Sequence, residues 1–138
     1  MPATTIPCLN YRDADAAVEW LCRAFGFTPH AVYRGEDDRV IHAELAYGDG
    51  MIMLGPFQAG EFGKKVMTMP ADAGGRCTQS IAVIVDDPDA HHARAVAAGA
   101  EIIMPLVDAS YGGRGYSARD PEGHAWSFGS YDPWQAKG

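Results

Sequence analysis

The sequence of 138 residues predicts an α+β fold in which two βαβββ modules follow one another in tandem. Two observations support this prediction. The predicted elements occur in the order β-α-β-β-β twice, and a segment rich in proline and glycine separates the two sets. A shift of 74 positions also aligns residues 13–16 (DADA) with 87–90 (DPDA), and residues 50–54 (GMIML) with the strand at 124–128. Self-similarity at a fixed spacing is the signature of a repeated structural unit.

The first module is predicted over residues 4–55 and begins with a short apolar strand at 4–10. Asp13 is a suitable helix N-cap, because its carboxylate can accept a hydrogen bond from a free backbone N–H of the first turn. The apolar residues that follow recur at helical spacing until Gly26, a typical helix stop. The next three strands are predicted at 27–35, 39–47 and 50–55.

The second module is predicted over residues 79–130 and begins with a strand at 79–86. Asp87 and Pro88 are a favoured cap and first residue of a helix, which is predicted to end at Gly99. The last three strands are predicted at 101–107, 113–119 and 124–130.

Two segments lie outside the modules. Residues 56–78 contain several prolines and glycines and are predicted to be a linker or mobile loop, and residues 131–138 form a C-terminal tail. Residues 1–138 have the length of one domain, which can bury a core without disulfides or a structural metal.

Charge and cysteine content narrow the class of protein. The net charge of −7 disfavours nucleic-acid binding, which needs a basic surface, and suits a cationic partner. No apolar run approaches the roughly 18 residues of a membrane span, and no secretory leader precedes the first strand. The three cysteines, Cys8, Cys22 and Cys77, are odd in number and lack metal-ligand spacing. We therefore expect a reduced, cytoplasmic protein that does not contact a membrane.

These features resemble the vicinal oxygen chelate superfamily, which includes glyoxalase I, extradiol dioxygenases, fosfomycin-inactivating enzymes and bleomycin resistance proteins. The resemblance rests on the two modules, the DxDA helix start in each half, the GDGMIML hairpin and the closing RDPEGHAWSF strand, and it covers essentially the whole chain. It implies mixed sheets that form a cupped cavity with the helices outside, and a homodimer. It leaves the activity open, because this fold supports several functions.

The resemblance also implies which residues would hold a metal. Metal-using members carry histidine, glutamate or similar ligands at four strand positions facing the cup. The corresponding residues here are Ile6, Met53, Ser80 and Ser127. A divalent site of this family needs imidazole and carboxylate donors, which none of these side chains supplies. We therefore expect no metal and no other cofactor.

Other polar residues have alternative interpretations. His42 and Glu44 lie two apart on a predicted strand, where they form a general base, an atypical metal pair or only a polar stripe on a half-solvated sheet. His124, beside a turn, is expected to be structural or exposed. His91 and His92 begin the second helix and are expected on its surface.

The cavity should also contain residues that contact a ligand. Arg114 either binds an anionic group or ends a solvated strand, and Met51 with Met53 forms an apolar wall or fills gaps. Tyr111 could overhang the cup, and Trp134 closes over a ligand or holds the tail against its own domain. Trp126 and Phe128 should instead point to the helices as core residues. The predicted cavity residues are His42, Glu44, Met51, Met53, Ser80, Tyr111, Arg114, Ser127 and Trp134.

Three functions are consistent with these observations. The first, favoured by the acidic charge and the missing ligands, is a metal-free protein that binds or sequesters a cationic or aromatic small molecule, similar to the bleomycin resistance proteins. We assign no catalytic residue to it, and its ligand decides whether it confers antibiotic resistance. The second is a metal-dependent isomerase, lyase or dioxygenase that uses His42 and Glu44. The third is a non-catalytic partner module whose outer surface matters.

Overall fold

The computed structural model describes residues 2–58 and 60–135. Within these residues, the first module contains β1 (Cys8–Tyr11), α1 (Ala14–Phe25), β2 (Thr28–Arg34), β3 (Val40–Tyr47) and β4 (Gly50–Pro56). A connecting segment contains α2 (Gly60–Val66) and a 3-10 helix (Pro70–Ala73). The second module contains β5 (Ile81–Ile84), α3 (Pro88–Ala97), β6 (Glu101–Asp108), β7 (Arg114–Arg119) and β8 (Ala125–Gly129). No helix in the described part of the chain is long and apolar enough to cross a membrane.

Each module forms a four-stranded mixed sheet. The strand orders are β1-β4-β3-β2 and β5-β8-β7-β6, and the first strand of each module pairs in parallel with the last. Cys8 is opposite Met53 in the first sheet, and Ala82 is opposite Ser127 in the second. These pairs are related by the same shift of 74 positions that the sequence indicated. The predicted tandem βαβββ fold is therefore confirmed.

The helix starts follow the predicted capping. The Asp13 carboxylate accepts a hydrogen bond from the Ala16 N–H at 3.0 Å, and Asp87 accepts one from Ala90 at 3.1 Å. The first strand of each module is shorter than predicted. β1 begins only at Cys8, directly after Pro7, which has no N–H to donate to a neighbouring strand.

The connecting segment is more regular than the sequence suggested. We predicted a linker or mobile loop at 56–78, but this segment contains α2 and the 3-10 helix. The high glycine and proline content hid a short helix. Its charges were a usable signal, because Glu61 lies in the first turn and Lys65 in the last, as the helix dipole favours.

The two modules share one hydrophobic core. Helices α1 and α3 pack against each other between the sheets. The ring of Phe25, at the end of α1, lies 4.5 Å from the Phe128 ring and 5.4 Å from the Trp126 ring, measured between centroids. Trp126 and Phe128 are fully buried, which confirms their predicted place in the core. The helix-covered faces of both sheets therefore point inward, and their other faces point away from this core.

A buried carboxylate, Asp120, joins the modules through polar contacts. It accepts hydrogen bonds from the Tyr11 hydroxyl of β1 at 2.6 Å and from the Trp126 indole N–H of β8 at 3.1 Å. Its second oxygen accepts the backbone N–H groups of Glu122 and His124 at 3.0 Å each. This buried charge is therefore compensated by four donors, as a carboxylate in a protein interior requires. Burial, followed by the nearby Asp120 charge, raises the pKa of Tyr11 well above its usual value.

His91 is buried, so the predicted surface position of this residue is wrong. Its Nε2 lies 2.8 Å from the Phe25 carbonyl oxygen, and its Nδ1 lies 2.6 Å from the Tyr116 hydroxyl. A neutral imidazole satisfies both groups, since Nε2–H donates to the carbonyl and Nδ1 accepts from the hydroxyl. Adjacent helix residues point in different directions, and His92 remains partly exposed. Burial holds the pKa of His91 below its usual value, and the positive charge of Arg94 lowers it further.

The lowered pKa of His91 predicts a loss of stability in mild acid. Below about pH 6.5, the ordinary histidine pKa, the unfolded chain binds a proton at this residue that the folded chain does not. The free energy of unfolding should therefore fall with pH, by up to ~1.4 kcal/mol per unit, until the folded-state pKa is reached. Urea unfolding between pH 7.5 and 5 measures this slope.

The His91→Gln variant cannot titrate at this position and should show a shallower slope, although it is less stable at neutral pH. His30→Gln is a matched control, because His30 is exposed on β2. Equal slopes in the wild type and in His91→Gln would contradict the assignment of acid sensitivity to His91.

Candidate ligand-binding cleft

The open face of the second sheet carries a cleft of about 500 Å³. Side chains alternate along a strand, so the residues next to the buried Trp126 and Phe128 point away from the helices and into this cleft. Every lining residue lies between Ala82 and Tyr131, within the second module and the chain that follows it. The lining includes Met104, Tyr111, Ser117, Ser127, Gly129 and Tyr131.

The floor of the cleft contains a pair of serines. Ser127 on β8 is directly opposite Ser117 on β7, and their Oγ atoms are 2.7 Å apart, a hydrogen-bonding distance. Ala82 on β5 is opposite Ser127 on the other side, and Met104 on β6 is opposite Ser117. The row across the sheet is therefore polar at its centre and apolar at both ends.

The centre of the next row, between Ile84 on β5 and Val107 on β6, has no side chains. Gly115 on β7 is opposite Gly129 on β8. A Cβ atom at Gly115 would lie 2.6 Å from the Phe128 carbonyl oxygen, which is too close for any real side chain. Backbone packing thus requires glycine here, and it leaves a flat surface beside the serine pair.

The walls of the cleft are apolar and aromatic. The Tyr111 ring meets the Tyr131 ring edge-on, with centroids 5.0 Å apart and planes at 88°. This arrangement is favourable for two aromatic rings. Tyr111 is 72% exposed, and Met104 and Val107 are also largely exposed on this face. In a single chain, several large apolar side chains around the cleft are therefore exposed to solvent.

Arg114 at the edge of the cleft is bound by two carboxylates. Its Nε is 3.1 Å from Asp89 at the start of α3, and its Nη1 is 3.5 Å from Asp108 at the end of β6. The hydrogen bond to Asp89 raises the pKa of Arg114 above its already high value, so the guanidinium stays charged. The side chains of Asp89 and Asp108 are largely exposed, and together with Arg114 they give this edge a net negative charge.

The other predicted polar pair lies on the first sheet. His42 Nε2 is 3.0 Å from Glu44 Oε2, and both side chains are partly exposed. Glu44 is opposite Met53, and Met51 is on the same open face. None of these four residues lines the cleft of the second sheet. Among the described residues, no group of three or more His, Cys, Asp or Glu side chains is arranged to hold a metal ion.

Comparison with known proteins identifies the family. The family model of the Glyoxalase/Bleomycin resistance protein/Dioxygenase superfamily matches residues 4–128. The chain belongs to this superfamily. Among solved structures, TioX from Micromonospora sp. ML1 is 38% identical, with a TM-score of 0.71 over 92% of this chain and 94% of that chain. An uncharacterised protein of Mycobacterium tuberculosis is 35% identical over 123 residues, which are 89% of this chain and 71% of that protein.

A more distant structure shares the fold alone. The fosfomycin resistance protein FosX from Mesorhizobium loti is 18% identical, with a TM-score of 0.65 over 98% of this chain and 97% of that chain. The chain therefore has the architecture of the glyoxalase superfamily. What the site can do chemically has to be argued from the side chains of this chain.

The metal site implied by the superfamily does not fit the residues of this chain. Met53 on β4 and Ser127 on β8 occupy equivalent places in the two sheets, while Ile6 and Ser80 lie just before β1 and β5. None of these side chains offers an imidazole or a carboxylate, the usual donors to a divalent ion in such a site. The hydroxyl of Ser127 is also hydrogen-bonded to Ser117.

The predicted cavity residues therefore separate into several places. Ser127, Tyr111 and Arg114 line the cleft of the second sheet. Ser80 and Trp134 do not line it, and Trp134 is 91% exposed. His42, Glu44, Met51 and Met53 lie together on the first sheet.

Sequence reasoning missed lining residues on β6 and β7, notably Met104 and Ser117. Alternation along β7 was the available signal for Ser117, because Tyr116 and Ala118 on either side of it are buried. The position of Met104 depends on the irregular register of β6 against β7, which the sequence pattern does not reveal.

Proposed function

We propose that this glyoxalase-superfamily protein is a metal-free protein that binds and sequesters a small molecule. The observation that carries the proposal is the serine pair. Ser127 stands where a metal-using member has a ligand, and it bonds to Ser117 in a cleft large enough for a small organic molecule. We assign no catalytic residue and no cofactor to this function.

The shape and charge of the cleft favour a flat aromatic or cationic ligand. A planar ring can lie on the flat surface of Gly115 and Gly129, with Tyr111 and Met104 at its edges. Tyrosine and methionine are well suited to aromatic contacts of this kind. The net negative charge around Asp89 and Asp108 attracts a cationic substituent that extends from the cleft.

The alternative function, a metal-dependent isomerase, lyase or dioxygenase, receives less support. It would use His42 and Glu44, which lie on the first sheet and are hydrogen-bonded to each other. No third histidine, cysteine or carboxylate accompanies this pair within the residues that the structure describes. Two protein donors are fewer than the three that catalytic metal sites commonly use.

We also propose that the protein is a homodimer in which a second copy covers the open sheet faces. Within one chain, the two modules meet through their helix-covered faces, where α1 packs against α3 and Phe25 packs against Trp126 and Phe128, so neither open face covers the other. Ile84, Met104 and Val107 are exposed on the open face of the second sheet. Large exposed apolar surfaces of this kind commonly mark an interface. The three free cysteines agree with the reducing cytoplasm that we propose as its location.

Metal content tests the proposed function directly. After purification without a His-tag and re-exposure to Zn, Ni, Mn and Fe(II), elemental mass spectrometry should find less than about 0.1 equivalent of each metal, because the donor set is unsuitable. About one equivalent of a single metal that is lost in His42→Ala or Glu44→Ala would support the enzyme instead. His30→Ala serves as the control for an exposed imidazole on the same sheet.

Binding of a flat cation tests the ligand class. Fluorescence titration with 9-aminoacridine should show saturable binding, and Tyr111→Ala should weaken it about fivefold, the ~1 kcal/mol of one aromatic contact. Phe62→Ala is the matched control, because Phe62 is an equally exposed aromatic residue on α2, outside the cleft. Absence of binding, or equal losses in the two variants, would contradict the proposed cleft.

The proposed dimer predicts a measurable mass. Light scattering after size-exclusion chromatography should give twice the mass of one chain. Met104→Glu should shift the protein toward monomer, because it places a charge in the covered face, whereas Val96→Glu on the exposed side of α3 should leave the mass unchanged. A wild-type protein that is monomeric at all concentrations tested would disprove the dimer.

A further inference from the structure

We propose that Ser117 and Ser127 act together as a neutral hydrogen-bonding couple that selects planar ligands with a donor and an acceptor on neighbouring atoms, such as an aromatic amide or lactam. This inference rests on the proposed function, because it names the chemistry recognised in the same cleft. Its starting observation is the 2.7 Å distance between the two Oγ atoms on the cleft floor.

Counting hydrogen bonds shows what the couple offers. Each serine hydroxyl has one donor and two acceptor positions. When one hydroxyl donates to the other, the first retains acceptor lone pairs and the second retains a free O–H donor. The couple therefore presents one donor and one acceptor side by side. This pattern is complementary to the N–H and C=O of a single amide group.

Within this row of the cleft floor, only the two serines can form strong hydrogen bonds with a ligand. The residues on either side are Ala82 and Met104, whose side chains offer no strong hydrogen bond. The next charged side chain on the same face, Arg119, is paired with Glu101 at 2.6 Å. A carboxylate ligand would therefore find no unpaired cation at the serines to compensate for its lost hydration. A neutral amide also loses water, but the serine couple replaces the hydrogen bonds that this water made.

The flat glycine row explains why the ligand should be planar. Gly115 and Gly129 lie one step along β7 and β8 from the serines, toward the Tyr111 and Tyr131 rings. An aromatic ring that rests on this row brings a substituent on its edge to the serine couple. The aromatic surface supplies affinity, and the couple discriminates between substituents.

Two probes that differ in one group test this selection. In 2-naphthamide the carbonyl carries an N–H donor, and in methyl 2-naphthoate the same ring and carbonyl carry none. The full-length wild-type protein should bind the amide about five- to tenfold more tightly than the ester in a ¹H–¹⁵N NMR titration, the difference expected for about one hydrogen bond.

The serine variants assign this preference to the couple. Ser117→Ala and Ser127→Ala should each abolish the preference by weakening amide binding, with ester affinity nearly unchanged. Thr5→Ala, which removes an exposed hydroxyl of the first module, should retain the preference. The NMR spectra themselves verify that each variant is folded.

The outcomes separate this inference from the proposed function. If 9-aminoacridine binds but the amide is not preferred, or the preference survives both serine variants, the serine inference is wrong and the proposed function stands. If neither 9-aminoacridine nor the naphthalene probes bind, both are contradicted. The inference is supported if the amide preference is lost in Ser117→Ala and Ser127→Ala and retained in Thr5→Ala.

Discussion

The shared core between the two modules is the constraint on which the rest of the structure depends. Phe25 from the first module packs against Trp126 and Phe128 from the second, and the Asp120 carboxylate of the second module accepts a hydrogen bond from Tyr11 across the same boundary. A buried carboxylate that lost this donor would leave a costly unpaired group, so the polar and apolar contacts hold the modules in one arrangement. Since this arrangement uses the helix-covered faces, the open faces become available for a ligand or a partner.

The flat floor of the cleft follows from a requirement of the backbone. β7 and β8 approach so closely that a side chain is excluded at Gly115, and the neighbouring Ser117 and Ser127 touch through their hydroxyls. On the opposite face of the same strands, Tyr116 and Phe128 fill the core. Large residues on one face and small residues on the other give this sheet both a stable interior and a shallow, flat floor.

The sequence predicted the fold well because its signals are local and occur twice. Capping by Asp13 and Asp87 and the shift of 74 positions hold in the structure. The errors arise where tertiary contacts decide. His91 is next to an exposed neighbour on a helix with many polar residues, and only the positions of Phe25 and Tyr116 show that its ring is buried between hydrogen-bonding partners. The sequence likewise could not predict which of the cavity residues lie together, because their grouping depends on how the two modules face each other.

The separation of polar groups between the two sheets bears on the metal-free function that we propose. A metal ion supplies a concentrated charge that orients a ligand from one point. Here the first sheet carries a hydrogen-bonded pair, His42 and Glu44, and the second carries a neutral serine pair on an otherwise apolar face. Because each pair is already internally hydrogen-bonded, these polar groups are partly satisfied without a ligand. This arrangement suits the reversible capture that we propose better than chemistry that needs an activated group.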